Sequence, residues 1–266
     1  MKSFLISGVS GFLGVKLAKF LLLHNHRVIG LARQKNNSIL SDLKSNPNFV
    51  YFYGGIKENN LKRLNPFDID GVYHLASQIP NDDNISYSRF YESNVNTTLL
   101  LIRYFQNRSI SFFVYTSTNS VFGDPIEGVI DEKSIPTPLN YYALTKYIGE
   151  KIINIERHKL KAKHIVIRLC SLFGLHDTYG FINTITSAIG RNQSLELYSQ
   201  GDVYKTFLNA DDAVKLLGNI IDKYTDLESF EIFQIAGEKS LRAIDIAQFV
   251  KKQLKSSSSI LLSDKK

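Results

Sequence analysis

Apolar residues along this chain alternate between short continuous runs and longer runs with helical spacing. The first short run, Phe4-Leu5-Ile6, comes directly before apolar positions with helical spacing from Val15 to Leu22. Further strand-like runs lie at 27–33, 49–53, 72–77 and 112–115, and helical patterns at 94–107 and 143–155. Strands that alternate with helices are typical of βαβ units. The pattern therefore predicts an α/β protein built on a parallel sheet.

Length and composition indicate a folded globular protein. The chain has 266 residues, of which 44% are hydrophobic and 21% are charged. This length allows one large domain or a domain with a smaller lobe. Glycines interrupt the apolar region of residues 1–30 and no small-residue cleavage site follows it, which argues against a signal peptide. No apolar run reaches the length of a membrane span, so we expect a cytoplasmic protein with no membrane partner.

Cysteine content and charge narrow the classes of site. The single cysteine, Cys170, excludes an intramolecular disulfide and a cysteine-based zinc site, and we expect no metal. The net charge of +7 is compatible with nucleic acid or with an anionic small substrate. The basic residues at 151–163 have no aromatic residues between them. This pattern is typical of a solvated helix face, so we expect no nucleic-acid partner.

Three glycines at three-residue spacing follow the first strand and open the first helix. Gly8, Gly11 and Gly14 would let the backbone approach a pyrophosphate closely, and the N–H groups at the helix start favour negative charge. The strand before the glycines and the helix after them are the context that this dinucleotide motif requires. The alternative is a glycine-rich turn that binds nothing.

The end of the second strand bears on the type of dinucleotide. A free ribose 2′-hydroxyl is usually bound by an acidic residue at this point, and a 2′-phosphate by an arginine. The strand ends at Arg33, with Lys35 close behind and no acid between. The sequence therefore predicts NADP(H), with NAD(H) as the alternative cofactor. The other interpretation is a pair of solvated surface cations.

A tyrosine and a lysine on one helix suggest acid–base chemistry. Tyr142 and Lys146 are four residues apart at the start of a predicted helix, so they share one face. We expect the lysine ammonium to lower the pKa of the tyrosine, making it a proton donor or acceptor near neutral pH. Thr118, in the hydroxyl-rich segment after the fifth strand, would hold a substrate carbonyl. Each motif alone has a structural alternative, namely a surface helix pair and an ordinary Ser/Thr turn.

Taken in order, these motifs resemble those of a known enzyme family. They are Gly8-x-x-Gly11-x-x-Gly14, His74-Leu75-Ala76, Asn94-Val95-Asn96-Thr97, Ser117-Thr118 before Val121-Phe122-Gly123, and Tyr142-x-x-x-Lys146. The combination resembles the extended short-chain dehydrogenase/reductase family, and within it the NAD(P)-dependent epimerase/dehydratase group acting on nucleotide sugars. The resemblance runs from Lys2 to Leu254 and includes Arg168 and Gly174 after the catalytic helix.

The resemblance implies a fold and roles for particular residues. It implies a Rossmann-like doubly wound parallel sheet at 1–168, to which segments of 201–235 return, and a mainly substrate-binding lobe at 169–266. It implies a catalytic set of Thr118, Tyr142 and Lys146, with Lys146 also bonding the nicotinamide ribose. The implied cofactor-binding residues are Gly8, Ser10, Gly11, Phe12, Leu13, Gly14, Arg33, Leu75, Ala76, Ser77, Asn94, Tyr142 and Lys146. The implied substrate-binding residues are Thr118, Asn119, Tyr142, His176 and Lys205.

Several residues differ from the family pattern, and these differences bear on the expected reaction and on nucleotide binding. Asn119 and Ser120 replace the Asp-Glu pair of the dehydratase subgroup, which argues against removal of water. Gly54-Gly55 replaces a Gly-Asp that contacts adenine in many relatives, and Lys205 replaces an arginine near the nucleotide. His176 lies where some keto-sugar epimerase-reductases carry a histidine that acts as an acid. The alternative is that His176 is an ordinary surface-loop histidine.

The function expected from the sequence is NADP(H)-dependent reduction of a nucleotide-linked keto-sugar, with a 4-keto-6-deoxyhexose as the expected class. A nucleotide-sugar 4-epimerase that keeps NAD bound is the first alternative. A dinucleotide-binding regulator without catalysis is the second, because a fold does not dictate activity. The resemblance also implies a homodimer through helices near 95–107 and 142–156.

Overall fold

The structure is a computed structural model that describes residues 1–35, 38–80, 84–123 and 129–265. Within these ranges, the strands are β1 Ser3–Ser7, β2 Arg27–Ala32, β3 Phe49–Tyr53, β4 Gly71–His74, β5 Phe112–Thr118, β6 Lys163–Leu169, β7 Ser171–Phe173, β8 Leu195–Leu197, β9 Tyr204–Asn209, β10 Phe230–Ile235, β11 Ser240–Arg242 and β12 Ile260–Leu262.

The α-helices in the same ranges are α1 Phe12–Leu23, α2 Ser41–Lys44, α3 Glu58–Leu61, α4 Tyr87–Phe90, α5 Thr97–Phe105, α6 Tyr141–Glu156, α7 Phe181–Gly190, α8 Ala210–Lys223 and α9 Ala243–Gln253. A π-helical turn, Tyr91–Asn96, joins α4 to α5. Short 3₁₀ turns lie at Ser38–Leu40, Lys62–Leu64, Asn119–Phe122, Ser199–Gly201 and Tyr224–Asp226. No helix in the described ranges is long and apolar enough to cross a membrane.

A seven-stranded sheet with the order β10-β6-β5-β4-β1-β2-β3 forms the centre of the fold. The pairings between neighbours from β6 through β3 are parallel, with Phe4 opposite both Val28 and Gly71. The chain runs outward from β1 in both directions, as in a doubly wound Rossmann-like sheet. The α/β fold predicted from the sequence is therefore confirmed. Because these strands are parallel, their carboxyl ends meet at one edge, where this fold binds ligands.

Burial of the central strands explains their apolar runs. Every residue of β5 is buried, as are all residues of β1 after Ser3, because helices cover the sheet. Leu101, Ile102 and Phe105 of α5 pack with Tyr115 of β5 in one core cluster. Truncating a fully buried phenylalanine such as Phe105 to alanine costs about 3–5 kcal/mol.

The chain divides into two compact units. Of the described residues, the first unit takes those of Met1–Asp124 and Gly128–Leu169 together with Asp211–Gln234. The second takes Cys170–Ala210 and Ile235–Lys266. The sequence places this boundary at 168/169 and the returning segment at 201–235; the units divide after Leu169, and the returning segment is 211–234.

The second unit has its own small core. It contains a three-stranded sheet of order β11-β9-β7 and a two-stranded sheet of β12 and β8. Ile185 and Ile189 of α7 pack against Ile246 and Ala247 of α9. The assignment of this unit to substrate binding stays a proposal.

Candidate active site

The three glycines form a tight cradle at the carboxyl edge of the sheet. Gly8 has a φ of +75°, and a Cβ there would lie 2.7 Å from the Ala76 nitrogen. A Cβ at Gly14 would lie 2.2 Å from the Gly8 carbonyl oxygen. Side chains at these two positions would therefore collide with backbone, which explains why both are glycine. Backbone bonds tie the cradle to its neighbours: Gly8 N–H donates to the Leu31 carbonyl at 2.8 Å.

Helix α1 starts at this cradle and offers its free N–H groups. Its N-cap is Gly11, which has no side chain to satisfy those groups. A helix start of this kind favours an anion through its N–H groups and its dipole. Phe12 and Leu13 supply the first N–H groups of the helix, and Ser10 lies in the turn before it. The cradle thus fits a pyrophosphate group.

The adjoining strand end carries the predicted 2′-phosphate residue. Arg33 follows β2, is exposed, and donates from Nη1 to Gln78 Oε1 at 3.4 Å. Gly54 N–H donates to the Arg33 carbonyl at 3.3 Å, which places the end of β3 beside it. A cleft of about 420 Å³ opens here, lined by Gly54 and residues 57–60. A second cavity of about 300 Å³, near Asp70 and Arg108, lies where β4 and β5 begin, away from this edge.

The predicted catalytic hydroxyls meet at the end of β5. The Thr118 hydroxyl lies near the Tyr142 phenol and lowers the pKa of that phenol. Thr118 Oγ1 also accepts the Ser120 N–H at 3.2 Å and donates to Ser120 Oγ at 3.2 Å. The backbone bond from Ser120 fixes the Thr118 side chain in this position.

Lys146 lies one helical turn beyond Tyr142 and is almost fully buried, with 1% of its surface exposed. Its Nζ is 4.0 Å from the centre of the Tyr115 ring. Burial lowers the pKa of Lys146 to about 7, opposed by the Glu150 carboxylate. The ammonium is therefore only about half populated at neutral pH in the free protein.

The pKa of Tyr142 moves opposite to the prediction. Burial of the phenol raises the Tyr142 pKa to about 12, and the nearby Thr118 hydroxyl only partly opposes this rise. The sequence predicts a pKa lowered by Lys146. That prediction is wrong for the free protein because low-dielectric surroundings disfavour both the phenolate and the ammonium. At neutral pH the phenol is therefore protonated and is the proton donor of the pair.

Comparison with known proteins shows the family to which the chain belongs. The sequence profile of the NAD dependent epimerase/dehydratase family matches residues 4–236. The chain belongs to this family. The resemblance predicted from the motifs is thereby confirmed, and the protein is an enzyme.

Individual relatives are distant in sequence, but their matches cover most of the chain. A putative UDP-glucose 4-epimerase of Methanocaldococcus jannaschii is 25% identical over 222 residues, which are 79% of this chain and 70% of the relative. The dTDP-D-glucose 4,6-dehydratase of Dictyostelium discoideum is 25% identical over 269 residues, 93% of this chain and 61% of the relative. The crystal structure of Bacillus cereus UDP-glucuronic acid 4-epimerase with UDP-glucuronic acid and NAD matches at a TM-score of 0.89 and 21% identity, covering 99% of this chain and 86% of that one. The last likeness shows a shared fold.

In this epimerase/dehydratase-family enzyme, Asn94 holds the loop after β4 in place. Its Oδ1 accepts the Gln78 N–H at 2.7 Å and the Ser77 hydroxyl at 3.0 Å. Its Nδ2 donates to the Gln78 carbonyl at 3.3 Å and to Thr145 Oγ1 at 3.0 Å. Asn94 lies in the π-helical turn where the sequence predicts a continuous helix, and such turns are frequent at functional sites. It therefore joins the loop of Leu75, Ala76 and Ser77 to the catalytic helix.

His74 is a structural residue of the same region. Thr98 Oγ1 donates to the Asn94 carbonyl at 2.6 Å, so it accepts from His74 Nε2–H at 2.9 Å. His74 Nδ1 then accepts the Ser7 hydroxyl at 2.6 Å, and Ser7 Oγ accepts the Ala76 N–H at 3.3 Å. Complete burial lowers the pKa of His74 to about 3, with a smaller effect of Lys146 in the same direction. The neutral ring thus supports the loop after β4.

The remaining predicted substrate residues belong to other segments of the chain. Asn119 opens the 3₁₀ turn directly after Thr118 and is partly exposed. His176 and Lys205 belong to the second unit. There His176 is exposed with a φ of 70°, and Lys205 Nζ lies 5.8 Å from the centre of the Phe181 ring. Their roles in substrate binding stay predictions.

Sequence reasoning missed a buried ion pair behind Lys146. Arg168 Nε and Nη2 donate to the two carboxylate oxygens of Glu150 at 3.1 and 2.8 Å. The Ser117 hydroxyl donates to the same carboxylate. Glu150 and Arg168 are 2% and 3% exposed. The available signal was the position of Glu150 four residues after Lys146, on the same buried helix face.

Proposed function

We propose that this enzyme reduces a nucleotide-linked keto-sugar with NADPH, and that its substrate class is a 4-keto-6-deoxyhexose joined to a nucleoside diphosphate. The observation that carries the proposal is the protonated Tyr142, with the Thr118 hydroxyl near its phenol and the buried Lys146 one helical turn away. This set lies at the sheet edge that also bears the glycine cradle. One end of a dinucleotide would rest on the cradle and the other beside the proton donor.

The residues divide the chemistry among themselves. Bound NADPH supplies the hydride to the sugar carbonyl carbon. Tyr142 donates its proton to the alkoxide oxygen that forms, and Thr118 orients that oxygen and the phenol. Lys146 would hold the nicotinamide ribose. Its ammonium would also stabilise the Tyr142 phenolate that forms as the phenol loses its proton. A positioned acid of this type is typically worth about a hundred- to ten-thousandfold in rate.

The state of Tyr142 in the free protein supports the reductive direction. A phenol with a pKa of about 12 is protonated at neutral pH. Reduction starts from this protonated form and from an uncharged reduced nicotinamide ring. Oxidation of a sugar hydroxyl would need the phenolate first, and burial disfavours it.

Arg33 supports NADP(H) as the cofactor. It follows β2 where enzymes specific for NAD carry an acid, and its guanidinium is exposed beside the cleft at Gly54. The Bacillus cereus structural neighbour holds NAD, so preference for NADP(H) is a property that we propose for this chain.

A 4-epimerase that keeps NAD bound is the second candidate. It is favoured by the Methanocaldococcus jannaschii relative and by the Bacillus cereus neighbour, both of which carry epimerase names. It would use Thr118, Tyr142 and Lys146 as well, with oxidation and reduction in one cycle. Dehydration is disfavoured because Asn119 and Ser120 offer no acid–base pair. A purely regulatory protein would not need a buried tyrosine–lysine pair.

Cofactor consumption distinguishes the two enzyme candidates. Purified protein is incubated with NADPH and each of the UDP, dTDP, CDP and GDP 4-keto-6-deoxyhexoses, and reduced nicotinamide is followed by absorbance. The proposed reductase consumes NADPH in equal amount to the sugar product. Interconversion of UDP-sugars at constant absorbance would instead support the epimerase.

A thermal-shift panel identifies the nucleotide independently of turnover. Each nucleoside diphosphate is added with NADPH or with NADH, and the unfolding temperature is measured. Stabilisation grows with ligand concentration over Kd, so the preferred base and cofactor give the largest shift. A larger shift with NADH would contradict the role of Arg33.

A further inference from the structure

The buried Glu150–Arg168 pair lies against the catalytic machinery and has no part in the reaction steps given above. Its members come from α6 and β6, and Ser117, which completes it, directly precedes Thr118 on β5. Both carboxylate oxygens of Glu150 are occupied by donors. A pair so fully enclosed gains little stability over apolar residues of similar volume. A role other than stabilising the fold would therefore explain this ion pair.

Glu150 is the helical neighbour of Lys146. Residues four apart on a helix face each other, with about 5–6 Å between their Cβ atoms. The Tyr115 ring covers the ammonium from the sheet side, and the Tyr115 hydroxyl donates to the Lys146 carbonyl at 3.3 Å. Lys146 is therefore enclosed by an aromatic ring on one side and has a fixed carboxylate one turn away.

The other titratable groups that face Lys146 are neutral at pH 7. Burial raises the pKa of Tyr115 well above its usual value and the pKa of Tyr142 to about 12. Burial also lowers the pKa of His74 to about 3. Arg168, on β6, adds a positive charge next to Glu150. Among the described neighbours of Lys146, the anion is Glu150.

We propose that the Glu150 carboxylate, fixed by Ser117 and Arg168, favours the charged form of Lys146 inside the protein and so acts as a positioning residue for the reaction. The inference rests on the proposed function for its catalytic meaning, since Lys146 is useful there as a cation. The electrostatic effect itself needs neither substrate nor cofactor. Arg168 limits that effect, because its charge partly cancels the carboxylate.

The test is a pH titration of Lys146 in the cofactor-free full chain. The protein is labelled with ¹³C-lysine, and the Cε signal of Lys146 is assigned by its loss in Lys146→Met. Glu150→Gln is expected to lower the titration midpoint by about 1 to 2 pH units, the effect of removing an opposite charge at this distance. Arg168→Gln removes the cancelling charge and is expected to raise the midpoint.

Opposite shifts in the two variants separate electrostatics from a structural role. Both substitutions break the same ion pair, so general loosening of the fold would move the midpoint equally or not at all, and either result overturns the inference. If a single variant does not fold, Glu150→Met with Arg168→Met replaces the pair by apolar side chains, which proteins often tolerate. That double variant is expected to lower the midpoint by less than Glu150→Gln, and an unchanged midpoint overturns the inference. Failure of this titration leaves the proposed hydride transfer standing, and failure of NADPH consumption leaves the titration result standing.

Discussion

Replacing Arg33 by glutamine tests the proposed cofactor preference. Two unit charges 4 Å apart attract by about 1 kcal/mol in water and about 4 kcal/mol near a protein surface. Arg33 is exposed, so solvent screens it and the lower part of this range applies. We therefore expect Arg33→Gln to weaken NADPH binding by about 2 kcal/mol, roughly 30-fold in Kd. NADH lacks the 2′-phosphate, and its affinity should change by less than about threefold.

Arg63→Gln is the matched control. Arg63 lies in the 3₁₀ turn Lys62–Leu64, and its guanidinium stacks on the Phe52 ring at 4.5 Å. Titration calorimetry with NADPH and NADH at low and high salt measures all three proteins. The wild-type preference for NADPH should shrink at high salt because exposed charges are screened. Equal losses for both cofactors in Arg33→Gln, or tighter wild-type binding of NADH, would refute the argument.

Three further predictions concern the site and its support. Thr118→Val removes the hydroxyl near the Tyr142 phenol, and we expect kcat to fall about 100-fold with unchanged NADPH affinity, measured by steady-state kinetics and calorimetry. Asn94→Ala removes hydrogen bonds to three residues, and urea unfolding should show a loss of about 2–4 kcal/mol; a loss below 1 kcal/mol would contradict its clamping role. The His74 pKa is lowered to about 3 in the folded protein, whereas the unfolded chain binds a proton near 6.5. Stability is therefore kept above pH 6.5 and lost as the pH falls towards 3, by roughly 2 kcal/mol at pH 5. His74→Gln should remove this part of the pH dependence, and an identical pH dependence in the variant would show that His74 is not its source.

The sequence predicts the elements whose signal is local. β3 is predicted at 49–53 and observed at Phe49–Tyr53, because its apolar run ends at two glycines with positive φ. The glycine cradle can also be predicted from the sequence, since only a residue without Cβ fits against Ala76 and Gly8. By contrast, no local pattern predicts that β6 ends at Leu169 and that β7 begins at Ser171, where the chain passes from one unit to the other.

Features that depend on distant contacts were not predictable. The spacing of Tyr142 and Lys146 shows that they are neighbours, but it does not show that Lys146 is buried and the Tyr142 phenol is desolvated. This desolvation reverses the direction of the Tyr142 pKa. The carboxylate of Glu150 accepts hydrogen bonds from residues of β5 and β6, and no local sequence pattern predicts these long-range contacts. Sequence spacing therefore identifies the reacting groups, and the fold sets their protonation.

Hydride transfer with Tyr142 as proton donor is the central claim, and isotope transfer tests it most directly. NADPH carrying deuterium at the transferable position is mixed with a nucleotide-linked 4-keto-6-deoxyhexose under single-turnover conditions, and the sugar is analysed by mass spectrometry and NMR. We expect one deuterium at the former carbonyl carbon with wild type and with Tyr141→Phe, which alters an exposed tyrosine next to the donor in sequence. We expect Tyr142→Phe to bind NADPH normally and to form product at least about 100-fold more slowly. Unlabelled product, or a Tyr142→Phe rate close to that of wild type, would contradict the account.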